Sequence, residues 1–334
     1  MSSQGVGSPA PQSAQRTGLP VPDAAPGAGG ADFVLGMDFG GTKIAVATAT
    51  LGGDLLASAR IDTDAPRGAR QAVDRALLLA KQLIGTAEVE TRGRCLAAGA
   101  VSPGVVREDG IAFAPNVPGW QSLALPGLLR EGLGLDRVAC TNDVKAAGIA
   151  EARHGALRGA DPALFLSLGT GIGAALFVGG QLVRGAHGAA GEIGYALRGV
   201  QDVGGAASGR APLEELAGGV GFSAGGSRLL GRQVTAAQLF ASADPRVAAF
   251  VDGALDELAV HVANLAIAFD PQRVAVGGGF LGSAERILPV LDRRLAEAVP
   301  FPPELVRAHF DQDSALRGAV FLALDEVEPS RRAG

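Results

Sequence analysis

The sequence predicts an α/β protein of two lobes, each begun by a strand hairpin that turns on glycines. Two observations carry this. An apolar run, a glycine turn and a second apolar run occur once at residues 33–47, around Gly40-Gly41-Thr42-Lys43, and again at 163–178, around Gly169-Thr170-Gly171. Each copy continues through a further glycine turn, Gly52-Gly53-Asp54 or Gly179-Gly180-Gln181, into a third run. After each copy, segments of helical periodicity alternate with short strand-like runs, the pattern of a sheet layered with helices.

The elements follow in order. Residues 33–63 read as three antiparallel strands. Residues 68–84 read as an amphipathic helix, with Val73, Ala76, Leu77, Ala80, Leu83 and Ile84 at helical spacing. Residues 96–106 suit a strand that ends in the loop Ser102-Pro103-Gly104, 123–132 a short helix, and 137–140 a strand leading to Thr141-Asn142-Asp143. The Ala-rich stretch 144–154 is helical, with Asn142 or Asp143 as its cap. After the second hairpin, 185–226 is Gly-rich with few long apolar runs. Residues 247–269 form a long helix, 273–276 a buried strand ending in Gly277-Gly278-Gly279, 285–298 a helix and 314–324 the closing helix. Residues 1–30, rich in Gly, Pro, Ala and Ser, read as a disordered tail without a signal pattern, too short and Pro/Gly-rich for a helix-turn-helix module. The expected division is a lobe at 31–141, closed by the C-terminal helix 312–326, and a larger lobe at 142–311.

Bulk properties narrow the function classes. The 334 residues are 47% hydrophobic with a net charge of −5, and the basic residues are scattered. This argues for a globular protein without a dedicated nucleic-acid surface. No apolar run reaches membrane-spanning length. The two cysteines, Cys95 and Cys140, are too few for a disulfide framework or a structural zinc site, and a reducing cytoplasm fits them best.

Several residues are candidates for chemistry. Gly40 and Gly41 permit positive φ and close approach of a ligand, and the N–H groups of such a turn form an anion nest. Asp38, at the strand end, suits hydrated Mg²⁺. A plain Gly-Gly hairpin with a solvated aspartate is the alternative, and the second copy at 169–173 weighs against it. The loop is not the GxxxxGK[ST] of a P-loop, since it joins two strands. Gly277–Gly282 matches GxGxxG, but no βαβ unit is evident after it, and a turn covering an adenosine is equally compatible. Asp143 can take a proton from an attacking hydroxyl or simply cap its helix; Asn142 capping while Asp143 faces a ligand satisfies both. Asn116, in a rigid turn before the single Trp, Glu192 in Ala-Gly-Glu-Ile-Gly, and Glu214 in Pro-Leu-Glu-Glu are polar groups suited to sugar hydroxyls, each with a surface role as its alternative. The four histidines have no metal spacing, and Ser102 lacks a nucleophile motif.

Taken in order, these motifs resemble the ROK family of sugar kinases and repressors, over about residues 33–324. The resemblance implies the two-lobe actin-like ATPase (ribonuclease H-like) fold, ATP with Mg²⁺, a sugar substrate and a homodimer. It implies that 38–43 and Gly169-Thr170-Gly171 are the phosphate loops, that Gly277-Gly278-Gly279 covers the adenosine, and that Asp143 is the catalytic base. Ser102-Pro103-Gly104, Asn116, Asn142, Glu192 and Glu214 would contact the sugar. Three departures stand out. Tyr195 replaces a histidine that binds zinc and sugar. Gly204 to Pro212 replaces a CxCGxxGC-like zinc motif, so no structural zinc is expected and packing alone should hold the loop. Lys145 replaces a common Asn and is expected to face solvent. The leading expectation is ATP-dependent phosphorylation of glucose or a close relative; the alternative is a sugar-sensing regulator without catalysis.

Overall fold

The structure, a computed structural model, describes residues 30–114, 119–310 and 313–332. Strands β1 (Ala31–Phe39), β2 (Lys43–Thr50) and β3 (Leu55–Asp62) form an antiparallel meander. Helix α1 (Ala69–Thr91) then crosses back to β4 (Arg92–Ser102), parallel to β1. A small hairpin of β5 (Val105–Arg107) and β6 (Gly110–Ala112) and the helix α2 (Leu125–Leu133) precede β7 (Val138–Asn142), parallel to β4. The sheet order is β3-β2-β1-β4-β7.

The second half repeats this plan. Helix α3 (Asp143–His154) leads to the meander β8 (Ala163–Leu168), β9 (Ile172–Val178) and β10 (Gln181–Leu182). Helices α4 (Pro212–Ala217), α5 (Gly219–Leu230), α6 (Ala236–Phe240) and α7 (Pro245–Phe269) follow. Strand β11 (Arg273–Gly277) lies parallel to β8, α8 (Ala284–Ala298) crosses over, and β12 (Glu304–Arg307) lies parallel to β11. The order β10-β9-β8-β11-β12 matches the first sheet strand for strand. This is the two-lobe actin-like plan. The crossover β11–α8–β12 corrects the expectation that no βαβ unit follows the GxGxxG glycines. β12 escapes notice because it is four residues long, with exposed ends Glu304 and Arg307.

Burial explains why central strands read as continuous apolar runs. In β1, Leu35 and Met37 pack with Val73 and Ala76 of α1, while Val34 packs with Val320 and Ala323 of α9 (Ser314–Arg332) on the opposite face. In β8, Leu164 and Leu166 face Leu255, Leu258 and Val262 of α7, while Phe165 faces Ala147 and Ala150 of α3. Helices α3 and α9 thus lie against each other between the two sheets. Helix α5 forms despite its glycines because they are where neighbours press closest: a Cβ on Gly225 would meet Phe250, and one on Gly226 would meet Leu239, at 2.5 and 2.4 Å. Packing overrides local propensity there. Cys95 and Cys140 are free, and burial pushes both thiols up to about 12. No helix among the described residues is long and apolar enough to cross a membrane.

Candidate active site

The strand ends of both sheets meet at one cleft. Asp38 ends β1, Ser102 ends β4 and pairs in register with Asn142 at the end of β7, and Asp143 is the first residue of α3. Asn142 has extended backbone and caps α3: its Oδ1 accepts from the Lys145 N–H at 2.9 Å. Its Nδ2 donates to Glu192 Oε1 at 2.8 Å. Asp143 is therefore relieved of capping and opens to the cleft, its Oδ1 accepting the adjacent Val144 N–H.

The acidic groups influence one another. Burial pushes the Asp38 carboxyl up to about 6, and the negative charge of Asp143 adds to the rise, against the pull of Arg60. Although the Asp143 side chain reaches solvent, the protein crowds it at the cleft floor. That desolvation holds its carboxyl above the ordinary range, with Glu192 adding to the rise and the Val144 N–H opposing it. Glu214, on α4, accepts the Ile172 N–H through Oε2 at 3.0 Å. It too is raised, first by desolvation and then by Glu192 and Asp143. Tyr195 titrates above its usual value through desolvation and the charges of Glu214 and Glu192, and its ring lies 4.9 Å from Phe113.

Lys145 corrects an expectation. Instead of facing solvent it is buried, and its Nζ lies 3.2 Å from Glu192 Oε1. A buried lysine requires a paired counter-charge, and Glu192, 47 residues along the chain, supplies it. Asn142 and Lys145 thus fix one oxygen of Glu192 from two sides.

The glycine loops frame the rest. Neither Gly40 nor Gly41 uses the positive φ that glycine permits. Gly40 is needed because a Cβ would come 2.7 Å from the Lys43 carbonyl, which accepts the Gly40 N–H, whereas Gly41 faces open space. Thr42 and Lys43 are exposed. In the second loop, the Gly169 N–H donates to the Gly171 carbonyl, and the Gly219 N–H at the start of α5 donates to the Gly169 carbonyl. Gly278 has φ +91°, and a Cβ there would lie 2.5 Å from the Leu168 carbonyl, so only glycine fits where β11 meets this loop. Gly277 packs against Phe165, and the Gly279 N lies 3.2 Å from where a Cβ on Gly169 would sit. Beside these glycines opens a cavity of about 830 Å³, lined by Thr170, Ser223, Ser227, Arg228, Thr235 and Phe280 among others.

The structure brings Asp38, Asn142, Asp143, Glu192, Tyr195 and Glu214 together, with the loops 40–43, 169–171 and 277–279 around them. Ser102 is turned inward: its hydroxyl is fully buried, accepts the Trp120 indole N–H at 2.6 Å and donates to the Pro103 carbonyl. Gly104 turns the chain at φ +82° under Ala112. Asn116 lies outside the described residues. Sequence reasoning missed Lys145, Phe113 and the cavity lining from α5 and α6. For Lys145 the available signal was the Asn142 cap three residues before it; for Phe113, an exposed aromatic at φ +59°, there was none.

The profile of the ROK family matches residues 34–326. A kanosamine kinase of Amycolatopsis mediterranei is 32% identical over 307 residues, covering 88% of this chain and 97% of that protein. A ROK hexokinase from Thermus thermophilus is similar in structure, with a TM-score of 0.75 and 31% identity over 89% of this chain and 99% of its own. A ROK glucokinase from Streptomyces griseus, solved with glucose and AMPPNP, superposes with a TM-score of 0.66 at 26% identity, covering 88% of this chain and 99% of its own.

Proposed function

Because the chain belongs to the ROK family, we propose that it transfers a phosphoryl group from ATP to a hydroxyl of glucose or a close relative. The observation that carries this reading is the division of labour at the start of α3: Asn142 caps the helix and anchors Glu192, leaving Asp143 to face the cleft with a raised pKa. Asp143 accepts the proton of the attacking hydroxyl; a base raised above the ordinary aspartate range is the stronger proton acceptor. Asn142, Glu192 and Glu214 orient the sugar, and Tyr195 with Phe113 forms one apolar wall of its pocket. The loops 40–43 and 169–171 hold the phosphates by their N–H groups, and the cavity beside Gly277–Gly279 takes the adenosine. Within this reading residues 31–141 and 142–311 act as the closing lobes.

A buried carboxylate at a strand end, raised further by the charge of Asp143, suits a hydrated divalent cation. Asp38 would hold Mg²⁺ through water, and the ion when bound would offset charge on the transferring phosphate. Phosphoryl transfer depends mainly on positioning and charge stabilisation, and the clamp on Glu192 serves positioning. Asp143→Asn keeps the shape of the site and removes the base. Turnover is expected to fall roughly 10²–10⁴-fold with sugar affinity by calorimetry nearly unchanged. Parental turnover in this variant would overturn the assignment.

A further inference from the structure

We infer that Arg210 is a positioning residue that holds Glu214 in the cleft through an ion-pair strut, so that the segment before α4 works without a metal. Granted the sugar contact proposed for Glu214, on which this rests, Arg210 would set sugar affinity from outside the site. Arg210 Nη1 lies 3.1 Å from Asp202 Oδ1, and its Nε and Nη2 reach Glu215 Oε2 at 3.0 and 2.7 Å. Glu215 in turn accepts the Ala211 N–H through Oε1 at 3.2 Å, tying down the start of α4. The next residue back, Glu214, is the one that accepts the Ile172 N–H and lies against Gly171 and Gly194. One guanidinium therefore joins the turn at Asp202, the loop 204–211 and the first turn of α4.

The strength of the strut lies in Asp202. An exposed pair such as Arg210–Glu215 contributes little alone. Asp202, however, is 5% exposed, and Arg210 supplies its ion pair; removing Arg210 leaves a buried carboxylate with only the charge of Arg198, which is itself paired with Glu257. Backbone hydrogen bonds from Arg210 and Ser208 to the Gly205 carbonyl close the loop around this pair. The expectation that packing alone holds the segment is thereby corrected. The residues also do not suit zinc: 204–212 has neither thiol nor imidazole, and a guanidinium stands at the centre where a dication would be repelled. Among the described residues no group of three or more His, Cys, Asp or Glu could hold a metal ion.

The test compares wild type, Arg210→Ala, Arg210→Lys and the double variant Arg210→Ala/Asp202→Asn. Three things are read: zinc content of the purified protein, amide exchange at Ile172, and KM for sugar against KM for ATP. Wild type is expected to carry no stoichiometric zinc. In Arg210→Ala, Ile172 should exchange faster and the sugar KM should rise roughly tenfold or more, with the ATP KM unmoved. Lysine, a point charge that cannot span both carboxylates, should rescue only in part. The double variant relieves the orphaned Asp202 and should recover thermal stability without recovering Ile172 protection or sugar KM. One zinc per chain, unchanged Ile172 exchange in Arg210→Ala, or full recovery of protection in the double variant would overturn the inference. Absence of sugar turnover in wild type would count against the kinase reading alone, because zinc content and exchange are read on the protein itself.

Discussion

The pair Asp38 and Asp143 sets the site's response to pH. Asp38 is raised from its ordinary 3.8 to about 6, so between those values the folded protein holds a proton that the unfolded chain has released. Stability contributed by this group is therefore present at low pH and is lost as pH rises through about 6. Asp38→Asn is expected to stabilise the ligand-free protein at pH 7 by about 2–3 kcal/mol, flattening the urea-midpoint profile across the same window, while turnover drops. A midpoint at or below the parental value would contradict the stated burial. If Asp143 is the proposed base it must be ionised to accept a proton, and turnover should then rise with pH across its raised titration. At this scale Asn142 and Asp143 were legible, because a polar pair ahead of an Ala-rich helix has few roles to divide. Lys145 was not: a lysine in the first turn of a helix usually reaches water, and only Glu192, distant in sequence, makes its burial affordable.

At the scale of elements, both glycine hairpins and the long helices α1, α7 and α8 were legible from periodicity and turn residues. The helices α4 to α6 were not, because glycine lowers helix propensity and here serves close packing, as at Gly225 and Gly226. Gly171, in the second hairpin, ties an element to the site. A Cβ there would lie 2.4 Å from Glu214 Oε2, the end of a flexible side chain and not fixed backbone. Gly171→Ala should therefore fold with nearly parental stability but displace Glu214 from the Ile172 N–H. The expected result is a raised sugar KM with an unchanged melting temperature; an unchanged KM would show that Glu214 does not need that hydrogen bond.

For the whole molecule, the repeated sheet order was implicit in the doubled hairpin, whereas the contact between α3 and α9 was not, since nothing in either helix alone names its partner. That contact is close: a Cβ on Gly318 would come 2.0 Å from the Ala146 carbonyl, fixed backbone of α3. Glycine to alanine inside a helix ordinarily stabilises by up to about 1 kcal/mol, and Gly253, on the exposed face of α7 with open space around it, should behave so. Gly318→Ala should show the opposite sign, a loss of about 1–3 kcal/mol from overpacking, seen as a melting temperature lowered by several degrees. Equal effects at the two positions would mean that α3 and α9 are not so tightly joined.

In the proposed reading the cleft is a site of transfer and not of sugar binding alone, with Asp143 as base, Glu192 and Glu214 on the sugar and the glycine loops on the phosphates. The most direct measurement is sugar-dependent ADP release with Mg²⁺-ATP over glucose, mannose, fructose, N-acetylglucosamine, N-acetylmannosamine and kanosamine, in wild type and Asp143→Asn. The expected result is ADP formed one for one with a sugar phosphate on at least one of these sugars, and its near loss in the variant. Saturable binding of a sugar with no ADP released on any of them would contradict the account and mark the protein as a sugar-sensing regulator.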